Sequence, residues 1–261
     1  MLRKVFGIPS WLPDKEPERT KRKERINYLF KQLNDLWPDV DILVIAQNWQ
    51  DFKPIETKNK QIIKYYPQLG ILGARQTLRE EFLKLNYEYI IMLDDDAKIV
   101  SNNNAHIKYM EEIDKHKDGF CFMHREKEAT GFDPYVPAQL NLCAISKYVY
   151  ASQPFPDIDP QKNEGFEDSI YACLLHYKYR THEFNPPKDI KCTQFGDAGA
   201  PSTWAYSSRR PWNLLNNNTN RIKKYISEYG DLPKNYKNMI VKEIEPPKQL
   251  ADGKLGSYLY F

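Results

Sequence analysis

The sequence predicts an α/β fold around a mostly parallel β-sheet, and three features lead to this prediction. Short apolar runs alternate with segments whose apolar residues recur at helical spacing, up to Asp96. With 261 residues, the chain is long enough to bury a substantial core. One apolar run, residues 89–93, is bounded by polar residues, as a buried strand of a parallel sheet would be.

The composition narrows the class of protein and its partners. The 38 basic and 35 acidic residues nearly balance, so we expect no nucleic-acid partner. The N-terminus lacks the apolar region of a signal peptide, and no stretch reaches membrane-spanning length. The four cysteines form no CxxC pair and are interpreted as reduced. We therefore expect a cytoplasmic protein without a transmembrane segment.

The first elements follow from apolar spacing. Residues 4–9 predict a strand that a proline ends, and residues 41–46 and 61–66 predict two more strands. Helical spacing begins near Arg22 and stops before Trp37, which predicts a helix between the first two strands. The apolar positions of this helix are Ile26, Leu29, Phe30, Leu33 and Leu36.

A second helix is predicted to open at Gly73 and to lead into the strand at residues 89–93. Its inner face consists of Ala74, Leu78, Phe82 and Leu85. This alternation of strands and helices is typical of a nucleotide-binding half with a parallel sheet. Farther along, the sequence predicts strands over residues 119–123, 141–146 and 181–184, and helices over residues 168–177 and near 221–229.

Three consecutive carboxylates, Asp94, Asp95 and Asp96, follow the strand at residues 89–93. Ligands of α/β sheets bind beyond the carboxyl ends of such strands, and adjacent negative charges need a counter-charge. A bound Mg²⁺ or Mn²⁺ would supply it, whereas a solvated acidic turn is the simpler alternative. His182 and Asp197 are further candidate ligands, although a strand histidine is commonly structural and Asp197 lies in a glycine-rich loop.

Two other positions carry residue types suited to chemistry. Arg75, in the first turn of the predicted helix, would bind a phosphate or steady the acidic cluster; alternatively it is a surface residue after a glycine turn. Glu167 and Asp168 precede a predicted helix. Acids there commonly cap the helix, but Gly165 would also let the chain aim one carboxylate into a cleft as a general base.

Taken in order, these residues resemble a GT-A glycosyltransferase of the kind grouped with the inverting bacterial family 2 enzymes. The resemblance covers about residues 4–180. It rests on Ile8-Pro9-Ser10 at the end of the first strand, Gly73-Ala74-Arg75, the DxD-type Asp94-Asp95-Asp96, and Glu167-Asp168.

The resemblance implies roles for individual residues. Asp168 would be the catalytic base and Glu167 its neighbour in the acceptor site. The residues implied in binding the nucleotide-sugar are Pro9, Ser10, Arg19, Gln47, Arg75, Asp94 and Asp95. Those implied in holding Mn²⁺ or Mg²⁺ are Asp96 and Asp94, with Asp197 and His182 as further ligands.

The implied architecture is one GT-A domain over residues 1–261. It divides into a nucleotide-sugar-binding half (1–100), an acceptor-binding half (101–190) and a C-terminal extension (191–261). The sequence departs from the family where Ala46-Gln47-Asn48 replaces the usual acid after the second strand. It also lacks the QxxRW-type motif of processive synthases, which favours the transfer of a single sugar.

The expected activity is transfer, with inversion, from a UDP-sugar (galactose, glucose or N-acetylhexosamine) to a hydroxyl of a saccharide or glycoconjugate. The resemblance implies surface-polysaccharide or glycan synthesis, with peripheral association at the inner face of a membrane. Two alternatives stay open: a nucleotidyltransferase that makes a nucleotide-sugar, and a non-catalytic glycan-binding protein of the same fold.

Overall fold

The computed structural model describes residues 1–123, 140–155, 171–172, 174–175 and 178–194. The described residues within 1–123, 140–155 and 179–194 form one compact unit, and the account below concerns that unit. No helix in these ranges is both long enough and apolar enough to cross a bilayer.

The unit is an α/β structure, which confirms the predicted class. In chain order its strands are β1 (Lys4–Trp11), β2 (Asp41–Gln47), β3 (Gln61–Tyr66), β4 (Tyr89–Met92), β5 (Ala97–Ser101), β6 (Phe120–Cys121), β7 (Cys143–Ser146) and β8 (Ile190–Gln194). Its helices are α1 (Glu18–Leu36), α2 (Gly70–Lys84), α3 (Ala105–Lys115) and α4 (Lys147–Ser152).

Six strands form the central sheet in the order β3-β2-β1-β4-β7-β6, and β5 pairs with β8 in a second, two-stranded sheet. Strand β1 is parallel to β2 and β4, and β2 is parallel to β3. Strand β7 is antiparallel to both β4 and β6. The carboxyl ends of β1–β4 therefore meet at one edge, which we call the carboxyl edge, and β7 begins there.

Strand β1 continues through the proline that was predicted to end it. Gly7 O accepts a hydrogen bond from Leu93 N, so Gly7 directs its polar groups toward β4. Residues two apart in a strand face the same neighbour, and Pro9 therefore faces the side on which β4 has already ended at Met92. Because no ladder hydrogen bond is needed there, the missing N–H of proline is tolerated.

The two faces of the sheet are covered by different helices. Buried residues of α1 and α3 pack with alternate residues of β1, β2 and β4 in one large core cluster. Helix α2 covers the other face, where Gly7 permits a close approach. A Cβ on Gly7 would lie 2.5 Å from Ile90 Cδ1 and 3.1 Å from Leu78 Cδ2. Glycine thus sets the spacing between α2 and β1.

Several predicted boundaries were wrong. Helix α2 begins at Gly70, which has φ +69°, so Gly73 lies inside the helix and Arg75 falls in its second turn rather than its first. The strand predicted over residues 181–184 is a 3₁₀ turn, Arg180–His182, followed by a single bridge from Glu183 to Phe120. Helix α1 begins at Glu18, ahead of its apolar stripe.

Candidate functional site

The three consecutive carboxylates lie in the turn that joins β4 to β5, at the carboxyl edge. Asp94 O accepts a hydrogen bond from Ala97 N at 3.1 Å, which closes the turn. Asp95 and Asp96 are buried, and Asp94 is partly exposed. This confirms that the acids follow a buried strand of the parallel sheet.

Asp95 is held by groups from three directions. Its Oδ2 accepts hydrogen bonds from Ser10 Oγ at 2.5 Å and from Trp11 N at 3.3 Å. Its Oδ1 lies 2.6 Å from Arg22 Nη1. Burial raises the pKa of Asp95, while Arg22 and Ser10 oppose the rise by favouring the charged form. Both oxygens of this carboxylate are therefore engaged within the protein.

Asp94 is fixed by an arginine and by an asparagine at the start of β7. Arg75 Nη2 lies 3.2 Å from Asp94 Oδ1. Asn141 Nδ2 donates to Asp94 Oδ2 at 2.9 Å, and Asn141 Oδ1 accepts from Asp94 N at 2.6 Å. Because β7 runs antiparallel to β4, its preceding residue Asn141 is brought to the carboxyl edge. The two hydrogen bonds fix both the backbone and the carboxylate of Asp94.

Asp96 has the weakest compensation of the three acids. Its Oδ2 lies 3.4 Å from Arg22 Nη1, and we find no hydrogen bond to its carboxylate within the described ranges. Burial, together with the charges of Asp95 and Asp94, raises its pKa to about 7, against the opposing charges of Arg22 and Arg25. A carboxylate in this state gains strongly from any additional positive charge.

The arrangement suits a cation only in part. Among the described residues, no three His, Cys, Asp or Glu side chains are placed so as to hold a metal together. Asp96 and the partly exposed Asp94 fit a hard cation by charge and by donor type, whereas Asp95 is already saturated. Mg²⁺ is commonly bound by one or two carboxylates plus phosphate oxygens, so two protein ligands are compatible with such a site.

The remaining residues predicted to bind a nucleotide-sugar lie around the ends of β1 and β2. Pro9 and Ser10 are buried in the last part of β1. Gln47, at the end of β2, accepts from Leu69 N at 2.7 Å and donates to Ser10 O at 3.4 Å. It therefore connects β1 to the start of α2, and contact with a nucleotide stays a prediction.

Arg19 connects the loops that follow β1 and β2. Its guanidinium donates to Pro13 O at 2.8 Å and to Asn48 O at 3.1 Å, and it forms an ion pair with Asp51. These hydrogen bonds fix the loops beside the acids. Any contact of Arg19 with a ligand also stays a prediction.

The structure does not bring His182 to the acids. His182 O lies 2.9 Å from the position of a Cβ on Gly119, just before β6, and its ring lies 5.9 Å from that of Tyr148. Strand β6 aligns through β7 with the start of β4, so His182 lies at the end of the sheet opposite the carboxyl edge. The predicted role as a metal ligand is therefore not supported. Glu167, Asp168 and Asp197 lie outside the described residues.

Two residues of the site were not predicted. Arg22 was interpreted as part of the polar face of α1, and Asn141 as part of a strand. Neither position carries a local signal in the sequence, because each contact spans a large separation along the chain. The predicted alternative role of Arg75, steadying the acidic cluster, is the one that the structure bears out.

Comparisons with known proteins were made for the fold and for the sequence. No protein-family profile matches the chain. The crystal structure of S. aureus TarS 1-349 in complex with UDP-GlcNAc aligns with a TM-score of 0.55 and 14% identity, over 92% of this chain and 70% of that one. A197 from STIV aligns with a TM-score of 0.43 and 15% identity, over 76% of this chain and 87% of that one.

A curated protein also matches over part of the sequence. It is one of the polypeptides of the nuclease SbcCD from Staphylococcus haemolyticus (strain JCSC1435), 30% identical over 97 residues, which is 37% of this chain and 9% of that protein. So short a match assigns no family. The likeness to TarS shows the fold, a GT-A-type α/β structure with a six-stranded, mostly parallel sheet.

Proposed function

We propose that this chain is a glycosyltransferase that moves one sugar from a UDP-sugar to a hydroxyl of a saccharide or glycoconjugate. The observation that carries the proposal is the acidic turn Asp94–Asp96 at the carboxyl edge, with Arg22 and Arg75 beside it. Ligands of α/β sheets bind at this edge. The fold is similar to that of TarS, which was crystallised with UDP-GlcNAc, and this supports a UDP-sugar as the donor.

The donor's diphosphate would bind between the acids and the arginines. Asp96 and Asp94 would hold Mn²⁺ or Mg²⁺, which when bound neutralises charge on the departing diphosphate. Arg75 lies 3.2 Å from Asp94, so its guanidinium is close enough to take part of the same negative charge. Asn141 would keep Asp94 in one orientation while the donor enters.

The acceptor would be activated by Asp168, with Glu167 beside it. Both roles are proposed from the resemblance to inverting family 2 enzymes. Asp168 would take the proton from the acceptor hydroxyl as the oxygen attacks the anomeric carbon, and UDP would leave from the opposite side. The same resemblance supports a role in surface-polysaccharide or glycan synthesis at the inner face of a membrane.

Release of UDP from a panel of UDP-sugars tests the donor. The full-length protein is incubated with UDP-glucose, UDP-galactose, UDP-GlcNAc and UDP-GalNAc in the presence of Mn²⁺, and free UDP is measured. Slow hydrolysis of one donor supports the proposal. Glycan binding without hydrolysis of any donor would point to a non-catalytic protein, and formation of a nucleotide-sugar from UTP and a sugar 1-phosphate would point to a nucleotidyltransferase.

The Asp168→Asn variant tests the base. Removing a general base commonly costs about 10²–10⁴-fold in rate. We therefore expect transfer to fall by that factor while UDP-sugar affinity, measured by calorimetry, stays within about threefold of the wild type. A wild-type transfer rate in this variant would show that Asp168 is not the base.

A further inference from the structure

We infer that Arg22 is a resident counter-ion that competes with the divalent cation for Asp95 and Asp96, and that it thereby sets how tightly the site takes that cation. This inference rests on the proposed function, because it concerns the same acidic turn. It adds a residue that the resemblance does not include and a role that is separate from holding the donor.

The geometry of Arg22 is that of a bridging cation. A single atom, Nη1, lies 2.6 Å from Asp95 Oδ1 and 3.4 Å from Asp96 Oδ2. The arginine side chain is only 12% exposed, and the two carboxylates are 9% and 10% exposed. A guanidinium nitrogen placed between two buried carboxylates occupies the space that a bridging metal ion would need.

The contacts of the neighbouring groups show why Arg22, and not Arg75, is the competitor. Arg75 contacts Asp94 from α2, and Asn141 shares that carboxylate with it. Asp95 Oδ2 is retained by Ser10 and Trp11, so its only exchangeable oxygen is the one that Arg22 holds. A cation that binds Asp96 must therefore either displace Arg22 or accept its repulsion at close range.

The charges at the turn favour such an exchange. Arg22 and Arg75 form ion pairs with the three carboxylates, and Arg25 acts on Asp96 less than Arg22 does. A divalent ion added beside Arg22 would meet its repulsion, whereas an ion that took its place would bring more charge to the same two acids. Arg22 lies in the second turn of α1, and a long side chain there can swing from the acids without moving the backbone.

Cation affinity in matched variants tests the inference. Mn²⁺ binding to the full-length protein is measured by electron paramagnetic resonance, with no donor present. Removing one nearby charge is expected to tighten binding by about tenfold or more in Arg22→Gln. Lys21→Gln removes the same charge from an exposed position of the same helix and should change affinity less than about twofold. Arg22→Lys keeps the charge and should stay within about threefold of the wild type.

Arg22→Gln leaves two buried acids without their partner, so a measurement on the unaltered protein accompanies the variants. In protein labelled with ¹⁵N-arginine, titration with Mg²⁺ should shift the Nε–H resonance of Arg22 as its ion pairs are released. The resonance is assigned by its loss in Arg22→Lys. Mg²⁺ is used because it is diamagnetic and does not broaden the signal.

The outcomes separate this inference from the proposed function. Equal Mn²⁺ affinity in the wild type and Arg22→Gln, or an Arg22 resonance that does not respond to saturating Mg²⁺, would overturn the inference while leaving a cation-dependent transferase intact. Absence of Mn²⁺ binding in both proteins would also overturn it, and UDP release from a donor without cation would then still support the transferase. Tighter binding in Arg22→Gln together with a shifted Arg22 resonance would support the inference.

Discussion

Strand β1 begins and ends beside buried charge, and the two ends differ in how that charge is balanced. At the start, Lys4 Nζ lies 2.6 Å from Asp114 Oδ1, and Leu2 adds a donor to the acid and an acceptor to the lysine. At the carboxyl edge, Arg22 and Arg75 pair with three carboxylates, of which Asp96 is the least compensated.

The difference separates a structural ion pair from a candidate binding site. One cation with one anion and satisfied hydrogen bonds has nothing further to gain from a ligand, and it serves to hold β1 against α3. An excess of buried negative charge is held in place by the rest of the fold and costs stability until a cation arrives. The two ends therefore predict opposite responses to the removal of a charged side chain.

The largest effect on stability is expected at the balanced end. Lys4→Met removes a buried ammonium and leaves Asp114 partly buried without its partner, which should lower the free energy of unfolding by about 2–4 kcal/mol. Urea denaturation measures the change. In the double variant Lys4→Met/Asp114→Leu, most of that loss should be recovered, because no unpaired charge remains. A single variant as stable as the wild type would show that the pair contributes nothing.

The opposite sign is expected at the carboxyl edge. Asp96→Asn removes a charge whose burial raises the pKa of the group to about 7. The folded protein then binds this proton more tightly than the unfolded chain does, so the ionised carboxylate destabilises the fold above about pH 7 and has no such effect below about pH 4. In EDTA at pH 8, we expect the variant to gain about 1–3 kcal/mol in free energy of unfolding.

The same Asp96→Asn variant, and Asp96→Ala, should lose Mn²⁺-supported binding of UDP in calorimetry. Gain of stability with loss of ligand binding is the combination that the comparison predicts. If Asp96→Asn were less stable than the wild type at pH 8, the carboxylate would be a structural group like Asp114. Unchanged UDP affinity would refute its role as a metal ligand.

A smaller effect is expected from Asn141→Ala, which removes the amide that fixes Asp94. The backbone N–H and the carboxylate of Asp94 each lose a hydrogen bond, which should cost about 1–2 kcal/mol by chemical denaturation. Affinity for UDP in the presence of Mn²⁺ should weaken because Asp94 is no longer held in one orientation. Asn102→Ala, at an exposed position, is the matched control and should leave both quantities unchanged.

Most of the sheet and the position of the acids could be predicted from local patterns. The strand at Gln61–Tyr66 has the predicted bounds, and β4 ends immediately before the acidic turn. These elements are defined by runs of apolar residues that touch their polar boundaries in sequence. Strand β8 and helix α3 were missed, because β8 is short and partly polar, and α3 carries its three buried residues at a spacing of four on a polar background.

The groups that complete the site could not be predicted, because they depend on packing between distant parts of the chain. Arg22 contacts Asp95 across 73 positions, and Asn141 contacts Asp94 across 47. In sequence, Arg22 is indistinguishable from the neighbouring Lys21 and Lys23. Only the placement of α1 at the end of β1 selects one of these side chains to reach the acids.

Gly7 has a consequence for how far this site can be redesigned. The residue lies on β1 beneath Leu78, and Arg75 is one turn before Leu78 on the same helix. Any side chain at position 7 would push α2 outward and carry the guanidinium of Arg75 away from Asp94, to which it now reaches with 3.2 Å between nitrogen and oxygen. The electrostatics of the acidic turn thus have a mechanical tolerance of a few tenths of an ångström, fixed by a position that bears no charge and touches no ligand.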